Sequence, residues 1–379
     1  MSFLQRLPGS LVMGPMTKGS NLPYRQLCTE LGATILVSEM VVARRLKQRR
    51  RSEFALIRRA AAEPCFGVQL AGNKPDELAW AAALVEARGA EFVDLNLGCP
   101  IDHFTRMGLG AALGRQVARV RRIVESMKAA VTVPVTVKIR LGWDAEHRNY
   151  LDLARAIADG GASAITVHGR TRQDRYRRPA EWDTIGEIAA AVPLPVIGNG
   201  DVLFGHQVAD HLGASGCTAV MTARGALIKP WIFREATAGY EDLSAEARVE
   251  IYRRYVELAS AHWGRRKTSA EEPAPDESDS PMTPGGSIDE HGRTRVRDFL
   301  RWHVGFWIRY APQRPDGTWP TMQQRESTFV PRSPLEALLA RSDDAAIDFI
   351  TDELLTGGDF ASPPAPSAAV IESDVVEAG

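Results

Sequence analysis

The chain has 379 residues, of which 44% are apolar and 25% are charged, with a formal net charge of −1. No apolar run reaches the ~18 residues of a membrane span, and the N-terminus lacks a secretion-signal pattern. The four cysteines form no CxxC pair and have no metal-ligand spacing, which argues against a disulfide framework and a metal site. We therefore expect a cytoplasmic protein with one large and one smaller domain, and no membrane contact.

Basic residues are unevenly distributed along the chain. Residues 41–60 hold eight basic side chains and one acid, and residues 170–178 hold five arginines and one acid. Acids concentrate in residues 271–279 and after Asp343. Such segregation is typical of a polyanion-binding surface, although each run alone could be an ordinary solvated helix face.

Eight short β-rich segments alternate with helical sequence. The predicted strands are residues 11–16, 34–40, 66–70, 92–96, 134–140, 164–168, 195–199 and 217–223. The predicted helices between them are residues 22–31, an arginine-rich segment ending near 62, and residues 75–87, 116–130, 150–159, 181–191 and 205–212. Near-continuous apolar strands between helices indicate a parallel sheet covered on both faces.

Polar residues recur at the C-terminal ends of these strands, which is where a (β/α)8 TIM barrel places its active site. A doubly wound sheet is the competing architecture, but no early GxGxxG turn supports it. The sequence therefore predicts an α/β TIM barrel over residues 1–240.

The pattern changes after Trp231. Residues 244–263, 293–310 and 334–355 have helical periodicity with no strand between them. We expect an all-helical C-terminal domain over residues 241–356, a disordered acidic insert at about 266–292 and a disordered tail at 357–379.

A cysteine follows the fourth predicted strand at the barrel mouth. Cys99 lies between Gly98 and Pro100, three residues after Asn96, and a glycine-rich loop follows. A thiol of ordinary pKa can donate a proton, and beside a cation it can act as a nucleophile. The alternative is a small buried apolar residue.

The motifs NLGCP, VQL, VKIRLGW, VHGRT, GNGD and RGAL resemble those of the tRNA-dihydrouridine synthase family. The segments HGRTRQDRY and ARGALIKPWIF are most similar to the subgroup that modifies tRNA position 47. The resemblance implies reduction of uridine in tRNA to 5,6-dihydrouridine, with FMN giving hydride to C6 and Cys99 giving a proton to C5. It also implies that NADPH or NADH reduces the flavin.

Further site residues follow from these motifs and from the strand ends. Those expected to bind FMN are Pro15, Met16, Gln69, Lys138, His168, Asn199, Gly200, Asp201, Ala223, Arg224 and Gly225. Those expected to contact tRNA are Asn96, Arg140, Arg170, Tyr176, Arg297 and Arg301. Two alternatives stay open: His168 can be a hydrogen-bonded core histidine, and the tryptophans beside Arg301 can pack against the barrel.

Two other functions are compatible with the residues alone. One is an FMN-dependent barrel that reduces a small substrate, such as a free pyrimidine. The other is a non-catalytic tRNA-binding protein. We expect tRNA as the partner of a monomer, with no DNA partner.

Overall fold

The computed structural model describes residues 1–263, 290–323 and 329–366. In this part of the chain, parallel strands form one sheet, in which eight strands close a barrel. The strands are β1 (Leu11–Met13), β2 (Leu36–Val37), β3 (Val41–Val42), β4 (Phe66–Ala71), β5 (Phe92–Leu97), β6 (Val135–Arg140), β7 (Ala164–His168), β8 (Val196–Asn199) and β9 (Ala219–Thr222).

Pairing between the first and the last strand closes the barrel. Leu11 of β1 is in register with Val220 of β9, and β2 pairs with β4 on the other side. The additional short strand β3 extends the sheet beyond β4, where Val42 is in register with Ala71. The predicted TIM barrel is confirmed, and the doubly wound alternative is wrong because no sheet edge separates β1 from β9.

Helices surround the barrel as the sequence predicts. The helices of this part are α1 (Phe3–Arg6), α2 (Leu22–Glu30), α3 (Ala43–Lys47), α4 (Arg51–Leu56), α5 (Pro75–Ala87), α6 (Asp102–Arg106), α7 (Val117–Ala130), α8 (Tyr150–Asp159), α9 (Trp182–Ala191), α10 (Gln207–Ser215), α11 (Arg224–Ile228) and α12 (Ile232–Ala238), with a 3-10 helix at Gly110–Arg115. Helix α2 begins where the Asn21 side chain accepts a hydrogen bond from the Tyr24 amide at 2.9 Å. Helix α5 begins at Pro75, which suits the first turn because proline has no amide to leave unpaired.

Beyond α12, the described residues form four further helices: α13 (Ala245–Trp263), α14 (Glu290–Trp307), α15 (Pro334–Leu339) and α16 (Asp344–Thr356). They confirm the helical C-terminal region. Tyr24 of α2 stacks on His303 of α14 at 4.2 Å, and Tyr252 of α13 stacks on Trp307 at 4.0 Å. One continuous apolar core therefore includes parts of the barrel and of the C-terminal helices.

Several predicted segments differ from the structure. The strand predicted over 34–40 has only two paired residues, because the Glu39 side chain turns to accept the Lys18 amide at 2.7 Å. The helical sequence predicted over 334–355 forms two helices, since Asp343 caps the second by accepting from the Ala346 amide.

The disorder predictions are only partly open to comparison. Residues 266–289 and 367–379 lie outside the described residues. Residues 290–292, predicted to be disordered, form the first turn of α14. Residues 357–366 also depart from that prediction, because Phe360 is buried and its amide donates to Glu353 at 2.8 Å.

Across residues 1–263, 290–323 and 329–366, we find no helix with both the length and the apolar character needed to cross a membrane.

Candidate active site

One pocket lies at the C-terminal ends of the barrel strands. It encloses about 790 Å³, including space open to solvent. The predicted site residues that line it are Pro15, Met16, Gln69, Asn96, Cys99, Lys138, Arg140, His168, Arg170, Tyr176, Asn199, Gly200, Asp201, Ala223, Arg224 and Gly225. The barrel therefore brings together residues that are widely separated in the sequence.

Cys99 is buried at the wall of this pocket. It is 5% exposed, and its amide donates to Asn96 Oδ1 at 3.0 Å. Burial raises the pKa of the Cys99 thiol, and the hydrogen bond from the Ile101 amide and the charge of Arg140 only partly oppose this rise. The side chain is therefore a protonated thiol at neutral pH and can donate a proton.

The turn after Cys99 requires glycine at position 110. Gly110 has φ +59°, and a Cβ at this position would lie 2.7 Å from the Cys99 carbonyl oxygen. A side chain here would push the Cys99 backbone away, so the close return of the loop depends on this glycine.

A directed hydrogen-bond chain connects Cys99 to the pocket floor. Asn96 Nδ2 donates to Gln69 Oε1 at 2.7 Å, and Gln69 Nε2 donates to Asp94 at 2.7 Å. Thr136 donates to the other Asp94 oxygen at 2.6 Å. Because a carboxylate can only accept, Asp94 sets the orientation of the Gln69 amide, and Gln69 in turn sets that of Asn96.

Asp94 is itself buried, and this burial raises its carboxyl pKa, while the hydrogen bonds from Gln69 and Thr136 oppose the shift. We did not select Asp94 from the sequence as a site residue. The available signal was its period-two spacing from Asn96, which places both side chains on the same face of β5.

Lys138 provides an ammonium group inside the pocket. Its Nζ donates to Asn199 Oδ1 at 2.9 Å, and Asn199 Nδ2 donates to the Met221 carbonyl at 2.9 Å. Burial lowers the pKa of Lys138 to about 7, assisted by Arg140 and opposed by Asp94. A negative group placed beside Nζ would therefore favour the charged form and be stabilised by it.

His168 is the last residue of β7, and Arg170 follows in the loop beside it. Burial, with four nearby cations, holds the pKa of His168 well below its usual range, so the ring is neutral. Arg170 Nη1 lies 3.1 Å from His168 Nε2. Since arginine can only donate, the His168 proton is on Nδ1.

Arg170 lines the pocket, and its contact with tRNA stays a prediction. Its side chain is 1% exposed. Its Nη2 donates to both Asp201 oxygens at 2.7 and 2.6 Å, and its Nε donates to the Arg178 carbonyl at 2.6 Å. These partners also fix the guanidinium between the loops that follow β7 and β8.

Arg224 and Tyr176 form another wall. The Arg224 guanidinium lies 4.0 Å from the centre of the Tyr176 ring, which suits a cation–π contact. Burial lowers the pKa of Arg224 to about 10, so it stays charged at neutral pH. The next residue must be glycine, because a Cβ on Gly225 would lie 1.9 Å from the Val202 carbonyl oxygen.

Arg297 and Arg301 do not join the pocket. Both lie on α14 and pair with acids of α16: Arg297 with Asp352 at 2.7 Å and Arg301 with Asp348 at 2.8 Å. The charges of these two arginines are therefore neutralised within the helical region. The sequence did not reveal this pairing because the partners lie 47 to 55 residues away.

The C-terminal region contributes pocket contacts that we did not predict. Met322 lines the pocket, and the side chain of the next residue, Gln323, donates to Asp201 at 2.8 Å. Met40 and Met221 are further apolar lining residues. No motif marked Met322 or Gln323, because both are distant in sequence from the barrel strands.

Comparison with known proteins gives the family. The model of the family described as dihydrouridine synthase matches residues 11–273. The chain belongs to the dihydrouridine synthase family. The resemblance seen in the NLGCP and VKIRLGW motifs is thus confirmed.

Curated proteins similar to this dihydrouridine synthase chain carry a more specific name. The tRNA-dihydrouridine(47) synthase (NAD(P)(+)) of Coprinopsis cinerea is 37% identical over 352 residues, covering 88% of this chain and 49% of that protein. The protein named tRNA-dihydrouridine(47) synthase (NAD(P)(+))-like of Homo sapiens is 35% identical over 367 residues, covering 96% and 52%. The chain spans about half the length of these relatives.

A solved structure supports the fold of this family member. The histamine dehydrogenase of Rhizobium sp. 4-9 aligns with a TM-score of 0.50 and 12% identity, covering 65% of this chain and 48% of that chain. At this identity the likeness concerns the fold alone.

Proposed function

We propose that this protein reduces a uridine in tRNA to 5,6-dihydrouridine, with FMN as its cofactor and NADPH or NADH as the reductant. The observation that carries the proposal is a buried, protonated Cys99 in the same pocket as Lys138 and Arg224. The names of the relatives, which include tRNA, dihydrouridine position 47 and NAD(P)+, support the substrate and the reductant. A cytoplasmic location and a monomeric state stay predictions.

The residues present fit FMN by their chemistry. A flavin needs apolar contact for its rings, donors for its amide edge and cations for its phosphate. Met16 and Met221 offer the apolar contact, Gln69 offers an amide, and Lys138 and Arg224 offer positive charge.

Reduction of the uracil C5=C6 bond adds a hydride at C6 and a proton at C5. The flavin, when bound, supplies the hydride. Cys99 breaks its S–H bond and gives the proton to C5, which leaves a thiolate to be protonated again from solvent. Arg140 favours that thiolate, because its positive charge acts to lower the Cys99 pKa.

Other residues prepare the site for this proton transfer. Asn96 holds the Cys99 backbone through the amide hydrogen bond described above. Lys138 stabilises negative charge at the cofactor. Arg140 is itself fixed, since its Nε donates to the Gly98 carbonyl at 2.8 Å and its Nη1 to the Thr171 carbonyl at 3.0 Å.

The test is mass spectrometry of unmodified tRNA after incubation with the protein, FMN and NADPH. We expect a gain of two hydrogens on one mapped uridine. Cys99→Ala should lower the rate by at least ~100-fold, the usual contribution of a general acid, while flavin content is unchanged. The matched control is Cys217→Ala, which removes a buried thiol that lies outside the pocket lining.

Two results would contradict the proposal. Full turnover by Cys99→Ala would remove Cys99 as the acid. Reduction of free uridine at the same rate as tRNA, by the wild-type protein, would favour a small-substrate flavoenzyme instead.

A further inference from the structure

A cluster of six cations lies where β3 passes into α3 and α4. We call it the basic rim, and it consists of Arg44, Arg45, Lys47, Arg49, Arg50 and Arg51. Strand β3 pairs with Leu70 and Ala71, directly beyond Gln69 of the pocket. Met40, four residues before Arg44, itself lines the pocket. The basic rim therefore begins at the pocket mouth.

The basic rim keeps much of its positive charge unneutralised. Arg44, Lys47 and Arg50 are exposed, and none of them makes a salt bridge within the described part of the chain. Arg45 approaches Glu53 at 3.7 Å, but the same carboxylate also accepts the Val42 amide at 2.8 Å. Arg297 and Arg301 on α14 differ, because both are paired with acids.

A backbone feature places one more cation in this cluster. Helix α3 ends in a Schellman motif, with the Arg50 amide donating to the Arg45 carbonyl at 3.1 Å and the Arg49 amide to the Leu46 carbonyl at 2.9 Å. The left-handed position of this motif usually holds glycine, yet here it is Arg49 with φ +56°. An arginine at this position costs more backbone strain than a glycine would.

We propose that the basic rim is the principal surface that binds the RNA backbone, in preference to Arg297 and Arg301 of α14. This inference rests on the proposed function. A polynucleotide whose base enters the pocket must carry its neighbouring phosphates past the mouth, where the basic rim lies. Exposed cations such as Arg44, Lys47 and Arg50 release counterions when phosphates bind, whereas Arg297 and Arg301 must first break their salt bridges.

The experiment measures the affinity of the full chain for one unmodified tRNA over a range of salt concentrations. The test variant is Arg44→Ala/Lys47→Ala/Arg50→Ala. Its control, Arg122→Ala/Lys128→Ala/Arg155→Ala, makes the same charge change at exposed positions on α7 and α8. The competing surface is tested by Arg297→Ala/Arg301→Ala.

We expect the rim variant to bind tRNA at least ~10-fold more weakly, with a salt dependence reduced by about 2 in logarithmic slope. The control and α14 variants should stay within about twofold of wild type. Arg49→Gly provides a second check, because it relieves the backbone strain. It should keep thermal stability and still weaken binding.

Three outcomes would contradict either this proposal or the proposed function. Equal binding by the rim variant and its control overturns the proposal, and so does a greater loss in the α14 variant. If wild type binds tRNA through the rim yet forms no dihydrouridine, the proposed function fails while the surface assignment stands.

Discussion

The burial of Lys138 disfavours the charged form of its ammonium group. Its pKa of about 7 in the folded chain lies below the ordinary lysine value of 10.5. Between these two pH values the unfolded chain holds a proton that the folded chain lacks, so this residue makes stability rise with pH across that window. Below about pH 7, Lys138 is charged in the folded protein as well. The full free-energy cost of burying that charge then lowers the stability of the fold.

Lys138→Met should therefore separate stability from cofactor binding. We expect a higher midpoint of thermal unfolding than wild type, with the largest gain below pH 7 and a vanishing gain toward pH 10.5. Flavin affinity should fall by about 10- to 100-fold, the usual loss for one charge-assisted hydrogen bond. Calorimetry across pH and flavin titration measure the two effects.

The matched control for that experiment is Lys128→Met, which changes an exposed lysine of α7. It should alter neither quantity. A Lys138→Met protein that binds flavin as tightly as wild type would show that the ammonium does not contact the cofactor.

Helix α6 is weakly anchored to the rest of the fold. This short helix follows Cys99 and buries none of its residues. Its first residue, Asp102, forms a salt bridge with Arg172 and lies 3.8 Å from Arg175, both in the loop after β7. We infer that this contact restrains the segment after Cys99 against the loop after β7, by at most ~1 kcal/mol, as expected for an exposed ion pair.

Asp102→Asn should loosen the segment without unfolding the protein. We expect alkylation of Cys99 to accelerate by up to about fivefold, and amide exchange of residues 102–109 to accelerate similarly. Mass spectrometry of labelled peptides measures both rates. Glu146→Gln, which neutralises an exposed acid in the loop after β6, is the control. Equal acceleration in both variants would show that the Asp102 contact does not restrain the segment.

The success of sequence interpretation also differs between elements. Helices α5 and α8 were predicted to the residue, because Pro75 marks one start and paired glycines mark the other end. Strand β2 was predicted too long, since the pattern could not show that Glu39 turns toward Lys18. Local signals predict an element well only when local contacts determine where it ends.

The candidate site shows the same limit. Motifs at strand ends selected most of the residues of the barrel that line the pocket, because parallel strands end at a common rim, but they missed Met40 and Met221. The burial of Arg170 and the pairing of Arg301 depend on Asp201 and Asp348, which are distant in sequence. Whether a charged residue faces substrate or an internal partner is therefore a tertiary property.

At the scale of the whole molecule, the barrel and the C-terminal helices share an apolar core. Trp307 of α14 is 2% exposed and packs on Tyr252 and Tyr255. The same cluster includes Tyr24 of α2 and Leu227 of α11. Because each part would expose this surface without the other, we expect them to unfold together.

Trp307→Ala should lower the stability of the entire protein by about 3 to 5 kcal/mol, the usual cost of removing a buried tryptophan. In the variant, the loss of the spectroscopic signal of helix and the release of flavin should still share one midpoint temperature. The control is Trp80→Ala, because Trp80 is 39% exposed on α5 and its removal should have little effect. Two separate transitions in the variant would mean that the parts are stable independently.

The pairing of β1 with β9 has a consequence for how the protein is made. During synthesis, Leu11 leaves the ribosome long before Val220, its neighbour in the sheet. One edge of β1 therefore stays unpaired until β9 has been made. The pocket wall is finished later still, when Met322 emerges. The pocket proposed to bind the cofactor is therefore completed late in biosynthesis. A nascent chain that ends in the middle of the barrel would lack part of this pocket.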